Sequence, residues 1–484
     1  MQQLLPICFL LVAACGGPPT DGTHAAAADS VASAPPTTAA ARQDWTRFGW
    51  DVGRSNANPG STGINASNVA SLKRQRVAID GTVDASAIYL HDAAVGGGAH
   101  DAFFVTTTYG KTLAIDAGSG KVLWTYTPTG YSGWAGSRQI TTATPVADPD
   151  RHFIYSSSPD GRVQKLDVAD GHAVWSTAIT TLPQREKIAS SLNYFNGNVV
   201  ATTGGYIGDA PPYQGHVVIL DGATGRILHV WNSLCSNQPV LLDPTSCPET
   251  QSAIWGRAGA VVDSATGNIF VATGNGRWDG HTYWGDATLE LDATATNLLG
   301  NYTPSNTDQL SETDADVGST SPVLLGGGYV VQGGKDGTIR LLNTQVMNGA
   351  APHKGGELQV VSTPSKAPLF TAPAVMHTGS NTWLFVADGG GTAAWSFSGG
   401  KLQPMWQNGT AGTSPVISGG LLYIYKPSGG LLVYQPGTGQ QVANLDAGAG
   451  HWNSPIIVDG RIALPEGNAN DHSTSGVLDI WRVQ

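Results

Sequence analysis

One hairpin carries residues that a plain hairpin does not need. The stretch 253–280 reads AIWGRAGAVVDSATGNIFVATGNGRWDG. Two β-type runs, AGAVVD and NIFVATG, flank the turn SATG, and Trp255, Asn275 and Trp278 bracket them. Either these are packing and turn devices of a repeat fold, or they line a site for a flat, polar cofactor. Downstream, the acidic loop TDQLSETDAD ends in Asp314 and Asp316, and the turn GGKDG carries Lys335. Each has an ordinary reading too, as a solvated loop or a turn lysine. The histidines are scattered without metal-ligand spacing, and no Ser-His-Asp or paired-Glu arrangement competes.

The elements that must hold these residues are strands. Gly, Thr, Val and Trp are abundant while Lys and Glu are few, which disfavours helices and favours short strands joined by tight turns. No substantial helix is expected. The formal charge is −11 and no basic run exists, so a nucleic-acid surface is excluded: that needs clustered Lys and Arg to displace counterions.

From about residue 80 a pattern recurs. Clear copies are FFVTTTYGKTLAIDAGSGKVLWTY (103–126), FIYSSSPDGRVQKLDVADGHAVWS (153–176) and YVVQGGKDGTIRLLN (329–343), and the opening strands recur as ATPVA, TSPVL, TAPAV, TSPVI and NSPII. About eight units at a spacing of roughly fifty residues match the period of a four-stranded propeller blade. The fold class expected is all-β, an eight-bladed β-propeller of four-stranded antiparallel blades. A last copy ending GVLDIWRV needs a partner strand to close the ring, and RQRVAID (74–80) is the candidate.

The N-terminal run LLPICFLLVAAC is too short for a permanent membrane span, and Val12-Ala13-Ala14-Cys15 resembles the bacterial lipobox. That resemblance implies cleavage before Cys15 and its lipidation, giving a signal peptide over 1–14 and a membrane anchor. Residues 15–42, rich in Ala, Pro, Thr and Ser, read as a disordered tether, and 43–484 as the propeller. Cys235 and Cys247 then remain. They close the loop CSNQPVLLDPTSC, and in an oxidising compartment a disulfide there stabilises by roughly 3 kcal/mol. The location expected is the bacterial cell envelope, facing the periplasm, with the outer membrane favoured by Gly16.

The units AIDAGSGKVLW, KLDVADGHAVW and ILDGATGRILHVW resemble the propeller family built on pyrroloquinoline quinone (PQQ) repeats, in which a Trp docks one blade onto the next. The segment DWTRFGWDVGRSNANPG…INASNVASL (44–72) is similar to the one that precedes the first blade in that family's quinoprotein dehydrogenases. Within those, 253–280 resembles the cofactor-bearing part of the polyvinyl-alcohol and methanol types. The resemblance implies that Trp255 is the floor under the quinone and Asn275 a metal ligand. It implies that Asp314 is the catalytic base and Asp316 an additional carboxylate ligand. Lys335 takes the place of the cation near the quinone oxygens. The chemistry is coherent: a hydroxyl proton needs a base, the quinone needs a flat surface, and the developing charge needs a cation. Calcium or a lanthanide is the implied metal.

The sequence departs from that pattern. The family's metal-ligating Glu is missing from the loop GGYIGDAPPYQGH, where only Asp209 offers a carboxylate, and no adjacent Cys pair exists. No CxxCH haem sequence exists either, so the electron acceptor is expected to be external. The function expected is oxidation of a small or polymeric alcohol with PQQ and a metal. The alternative is a non-enzymatic propeller lipoprotein serving as a protein-binding scaffold of the outer-membrane assembly type. A third reading is a polymer binder using exposed loop aromatics such as Trp134 and Trp278.

Overall fold

Alternating apolar positions, punctuated by Gly-containing turns, give short antiparallel strands with both faces to bury. In the computed structural model, which describes residues 42–206 and 208–483, these strands form eight radial sheets. The blades span 88–126, 146–178, 193–232, 261–302, 323–362, 374–408, 416–445 and 456–482, numbered here 1 to 8. Seven are four-stranded, and blade 7 gains a fifth, parallel strand from Ala57–Asn58. The expected ring closure is present: Lys73–Ile79 pairs antiparallel with Gly476–Arg482 and completes blade 8. The helices are short, Thr307–Glu312 and Thr344–Met347. The signal segment, Cys15 and the tether up to residue 41 lie outside the described residues.

The Asp–x–x–Ser/Thr–Gly…Trp motif has a mechanical meaning in this ring. In blade 1 the Asp116 carboxylate accepts from the backbone N–H and the hydroxyl of Ser119, both at 2.6 Å, which closes the outer turn. Trp124 then leans on blade 2, its indole N–H donating to the Val168 carbonyl at 2.9 Å. It rests on Gly171, which has a φ of +75° and where a Cβ would lie 2.6 Å from the indole ring. Glycine is therefore required twice, for the backbone angle and for the Trp seat. Trp175 repeats the contact on blade 3, and Trp406 on blade 7. The apolar clusters follow the same geometry, lying between neighbouring blades rather than in one central core.

Two expectations about loops have definite outcomes. Cys235 and Cys247 are disulfide-bonded, and the loop they close packs around Leu234, Leu242 and Tyr283. Trp134 is not an exposed loop aromatic: it is buried, with its indole N–H donating to the Tyr109 carbonyl at 3.1 Å. Trp278 is half-buried against the cluster between blades 3 and 4. Large aromatics in these loops serve packing, because the loops cover the blade ends.

Candidate functional site

Each blade's first strand is preceded by a short leading segment. Asp84, Thr142, Trp255, Arg257, Phe370, His451 and Trp452 all lie in such segments, and all line one cavity of about 490 Å³. Convergence of segments from five blades on one cavity follows from the ring itself, since the first strands face the common axis. Asn275, just after the second strand of blade 4, and Lys335, in the turn after the second strand of blade 5, line the same cavity. So do Asp314, from the loop between these blades, and Asp209.

The local packing that positions Trp255 is dense. A Cβ on Gly274 would lie 3.0 Å from the Asp316 carboxylate and 3.3 Å from the Trp255 indole nitrogen, and one on Gly318 would strike the Gly274 backbone at 2.3 Å. Without side chains at these two positions, Asp316 reaches under Trp255 and accepts its indole N–H at 3.2 Å. Lys335 Nζ sits 2.6 Å from Asp316 Oδ1, 2.6 Å from Asp314 Oδ1 and 5.2 Å from the Trp255 ring centroid. Asp316 is fully buried, whereas the Asp314 side chain is 57% exposed. Burial pushes the Lys335 amine down, but the Asp316 and Asp314 carboxylates outweigh it and hold the ammonium protonated.

Behind this pair lies Asp286, buried and in a left-handed conformation, φ 50°. One of its oxygens accepts the Val317 N–H at 3.2 Å and the other has no partner among the described residues. Burial, with the Asp316 charge second, pushes its carboxyl up to about 8. Between pH 3.8 and about 8 the unfolded chain has this group ionised while the folded chain keeps it protonated. Folded protein then binds the extra proton, so this group makes stability fall as pH rises through that window, by up to about 1.4 kcal/mol per pH unit. Asp286→Asn is expected to remove that slope, and urea unfolding of both proteins at pH 5 and pH 7.5 checks it. Identical slopes would place the proton elsewhere.

The opposite wall was not anticipated from the sequence. Asp84 is fully buried and accepts from Arg257 Nη2 at 2.9 Å, from the His451 ring at 2.7 Å and from the Ala469 and Trp452 N–H groups at 3.1 and 3.2 Å. Arg257 lies 4.7 Å beneath the Trp452 ring centroid, and His451 stacks on that ring at 4.1 Å. Phe370 and Trp452 stack with centroids 5.5 Å apart, each about 6 Å from Trp255 (6.2 and 6.1 Å). Lys187 adds a further cation, its amine pushed down to about 8 by burial and the Arg257 charge. It is placed by the two-residue strand Glu186–Lys187, whose Glu186 is anchored on the other side by His216 at 3.2 Å.

These walls fit a flat anion. An aromatic surface, the cavity volume and Lys187, which no carboxylate pairs among the described residues, suit a planar polycarboxylate such as PQQ, with Arg257 and Lys335, each already paired with carboxylates, adding positive charge. They do not fit the expected metal. Asp316 is engaged by Lys335 and Trp255, Asp314 by Lys335, and Asp209 accepts the Tyr213 hydroxyl at 3.0 Å. Among the described residues no three His, Cys, Asp or Glu side chains converge at metal-ligand spacing, whereas calcium takes six to eight oxygens. Asn275 lines the cavity, but Asp209 and Asp316 do not join it in an open donor set.

Known proteins agree with this architecture. Polyvinylalcohol dehydrogenase from Sphingopyxis sp. (strain 113P3) is 26% identical over 207 residues, covering 40% of this chain and 30% of that protein. The quinohemoprotein alcohol dehydrogenase ADH IIB of Pseudomonas putida is 26% identical over 238 residues, covering 44% and 31%. The chain thus spans about a third of the length of these relatives. In fold it is similar to the quinohemoprotein alcohol dehydrogenase from Comamonas testosteroni, with a TM-score of 0.67, 15% identity and coverage of 91% of this chain and 80% of that one. A europium-containing methanol dehydrogenase superposes with a TM-score of 0.65 at 15% identity, over 91% and 98%. The family model described as outer membrane protein assembly factor BamB matches residues 49–339. With that match over more than half its length, and with eight blades built on the repeat, the chain belongs to this family of PQQ-type propellers.

Proposed function

We propose that this protein binds a PQQ-type quinone in the cavity and oxidises an alcohol there. The observation that carries the reading is the shared cavity wall of Trp255, Asn275, Asp314 and Lys335, residues spread over eighty positions of sequence. When bound, the quinone supplies the two-electron redox chemistry. The chain supplies the rest. Trp255 offers the flat surface, and Lys335 offers positive charge beside it. Asp314, the most exposed carboxylate of the trio with Asp316 and Lys335, takes the hydroxyl proton of the alcohol. Phe370 and Trp452 narrow the cavity and exclude water from one side. Electrons pass on to an external acceptor.

In the same proposal, residues 1–14 are a lipoprotein signal, Cys15 carries the lipid and 15–42 tether the propeller of 43–484 to the envelope. The test is thermal melting of the protein with and without PQQ. A ligand bound only by the folded state at a hundredfold excess over Kd adds roughly 2.7 kcal/mol. A rise in Tm that is lost in Trp255→Ala is expected. No rise would remove the quinone from the account.

The family match supports a second reading, a propeller that binds other envelope proteins without catalysis. Under it, PQQ leaves Tm unchanged and the protein gives no quinone-dependent alcohol oxidation.

A further inference from the structure

We propose that the Lys335 ammonium is the resident cation of this site and that the cavity takes its ligand without a metal ion. This deepens the quinone reading and rests on the same cavity. The carboxylates that would have to hold a metal are Asp314 and Asp316, and Lys335 Nζ lies 2.6 Å from an oxygen of each. An ammonium has three donors and no acceptor capacity, so two carboxylates and the nearby Trp255 face satisfy it.

Its position is set by the backbone as well as by the side chain. The Lys335 N–H donates to the Asp316 carbonyl at 2.9 Å, which ties the blade 5 turn to the loop that carries both acids. A Cβ on the preceding Gly334 would lie 3.1 Å from that same carbonyl, so the approach depends on a residue without a side chain. Asp316 has no freedom to turn toward another cation, since its second oxygen accepts the Trp255 indole N–H and the group is fully buried. A metal ion placed between the two acids would face the ammonium at contact distance, a like-charge arrangement. Asp209 is held by Tyr213, whose hydroxyl it accepts at 3.0 Å.

Removing the ammonium should therefore create the cation site that wild type lacks. Terbium, a calcium and lanthanide probe whose emission is sensitised by nearby Trp, is titrated into the full chain and its variants. Lys335→Gln is expected to bind terbium at least roughly tenfold more tightly than wild type, a difference of about 1.4 kcal/mol. Lys335→Gln with Asp316→Asn should lose that gain, and Lys335→Arg should behave like wild type. In wild type, the terbium signal should be unchanged by Asp316→Asn alone, a comparison that needs no change at Lys335. Wild-type binding as tight as that of Lys335→Gln, or wild-type emission lost in Asp316→Asn, would overturn the proposal. Calorimetry with PQQ, in EDTA and then with added calcium, adds a second measurement. Equal affinity in both buffers supports the inference, and binding only with calcium overturns it. If PQQ binds in neither, the quinone reading fails, and the terbium comparison still decides the role of Lys335.

Discussion

Asp314→Asn is expected to lower quinone-dependent alcohol oxidation by roughly 10²–10⁴-fold, the range that a positioned general base contributes. The carboxylate is the only one of the Lys335-bound pair that stands open to the cavity, with a side chain 57% exposed against 0% for Asp316. An amide of the same shape cannot accept the hydroxyl proton. The fold should be untouched. Asp314 lies at φ 54°, a conformation that Asn tolerates as well as Asp, and its exposure leaves nothing to repack. PQQ affinity should change little, because Trp255 and Lys335 remain. The measurement is turnover with an artificial electron acceptor, together with Tm and PQQ binding. Undiminished turnover would mean that another group takes the proton.

Asp84→Ala should be the most destabilising single change near the cavity, by about 3–5 kcal/mol, the cost of leaving a buried charge without its partner. The deletion strands Arg257, which is 4% exposed, and it releases His451 and two backbone N–H groups. The three elements it joins come from blades 1, 4 and 8, so the loss is felt across the ring. Its pH dependence has a definite sign. Burial pushes the Asp84 carboxyl up, but the Arg257 charge and then His451 outweigh it and hold it well below the ordinary value of 3.8. A depressed folded value means that the contribution is complete above pH 3.8 and is lost only as pH falls further toward that lower value. Urea unfolding of Asp84→Ala and wild type from pH 7 to pH 3 tests both points. A difference below about 1 kcal/mol at pH 7, the size of an exposed ion pair, would contradict the buried network.

The repeat made the ring readable. Strand alternation, the turn glycines and the docking tryptophans are local signals, so blades, ring closure by RQRVAID and the Cys235–Cys247 bond could be read without coordinates. Trp255, Asn275, Asp314 and Lys335 could be nominated because they fall on one resembling stretch and its downstream neighbours. Asp84, Phe370 and His451 could not, because they come from positions 84, 370 and 451 and meet only when the ring closes. A weak signal existed. Each sits just ahead of an opening strand, in DASAI, FTAPAV and HWNSPI, where a blade meets the axis. The metal set turns on a related point. Residue type at positions 209 and 316 matched a ligand, but the competing partners, Tyr213 and Lys335, are set by tertiary contact alone.

Closure of blade 8 has a consequence for how the chain reaches this state. Lys73–Ile79 finds its partner in Gly476–Arg482, about four hundred residues later, with Arg74 opposite Trp481. Seven blades can assemble by hairpins as synthesis proceeds, but the seam waits for the last strand to emerge. Until then the 73–79 edge stays open, and its unpaired N–H and C=O groups are a template for wrong pairing. A long-range pairing of this kind is the expected slow step of folding. On the waiting edge, Lys73, Arg74 and Arg76 discourage a foreign strand, and Glu466 and Asp479 pair with Arg74 once the proper one arrives.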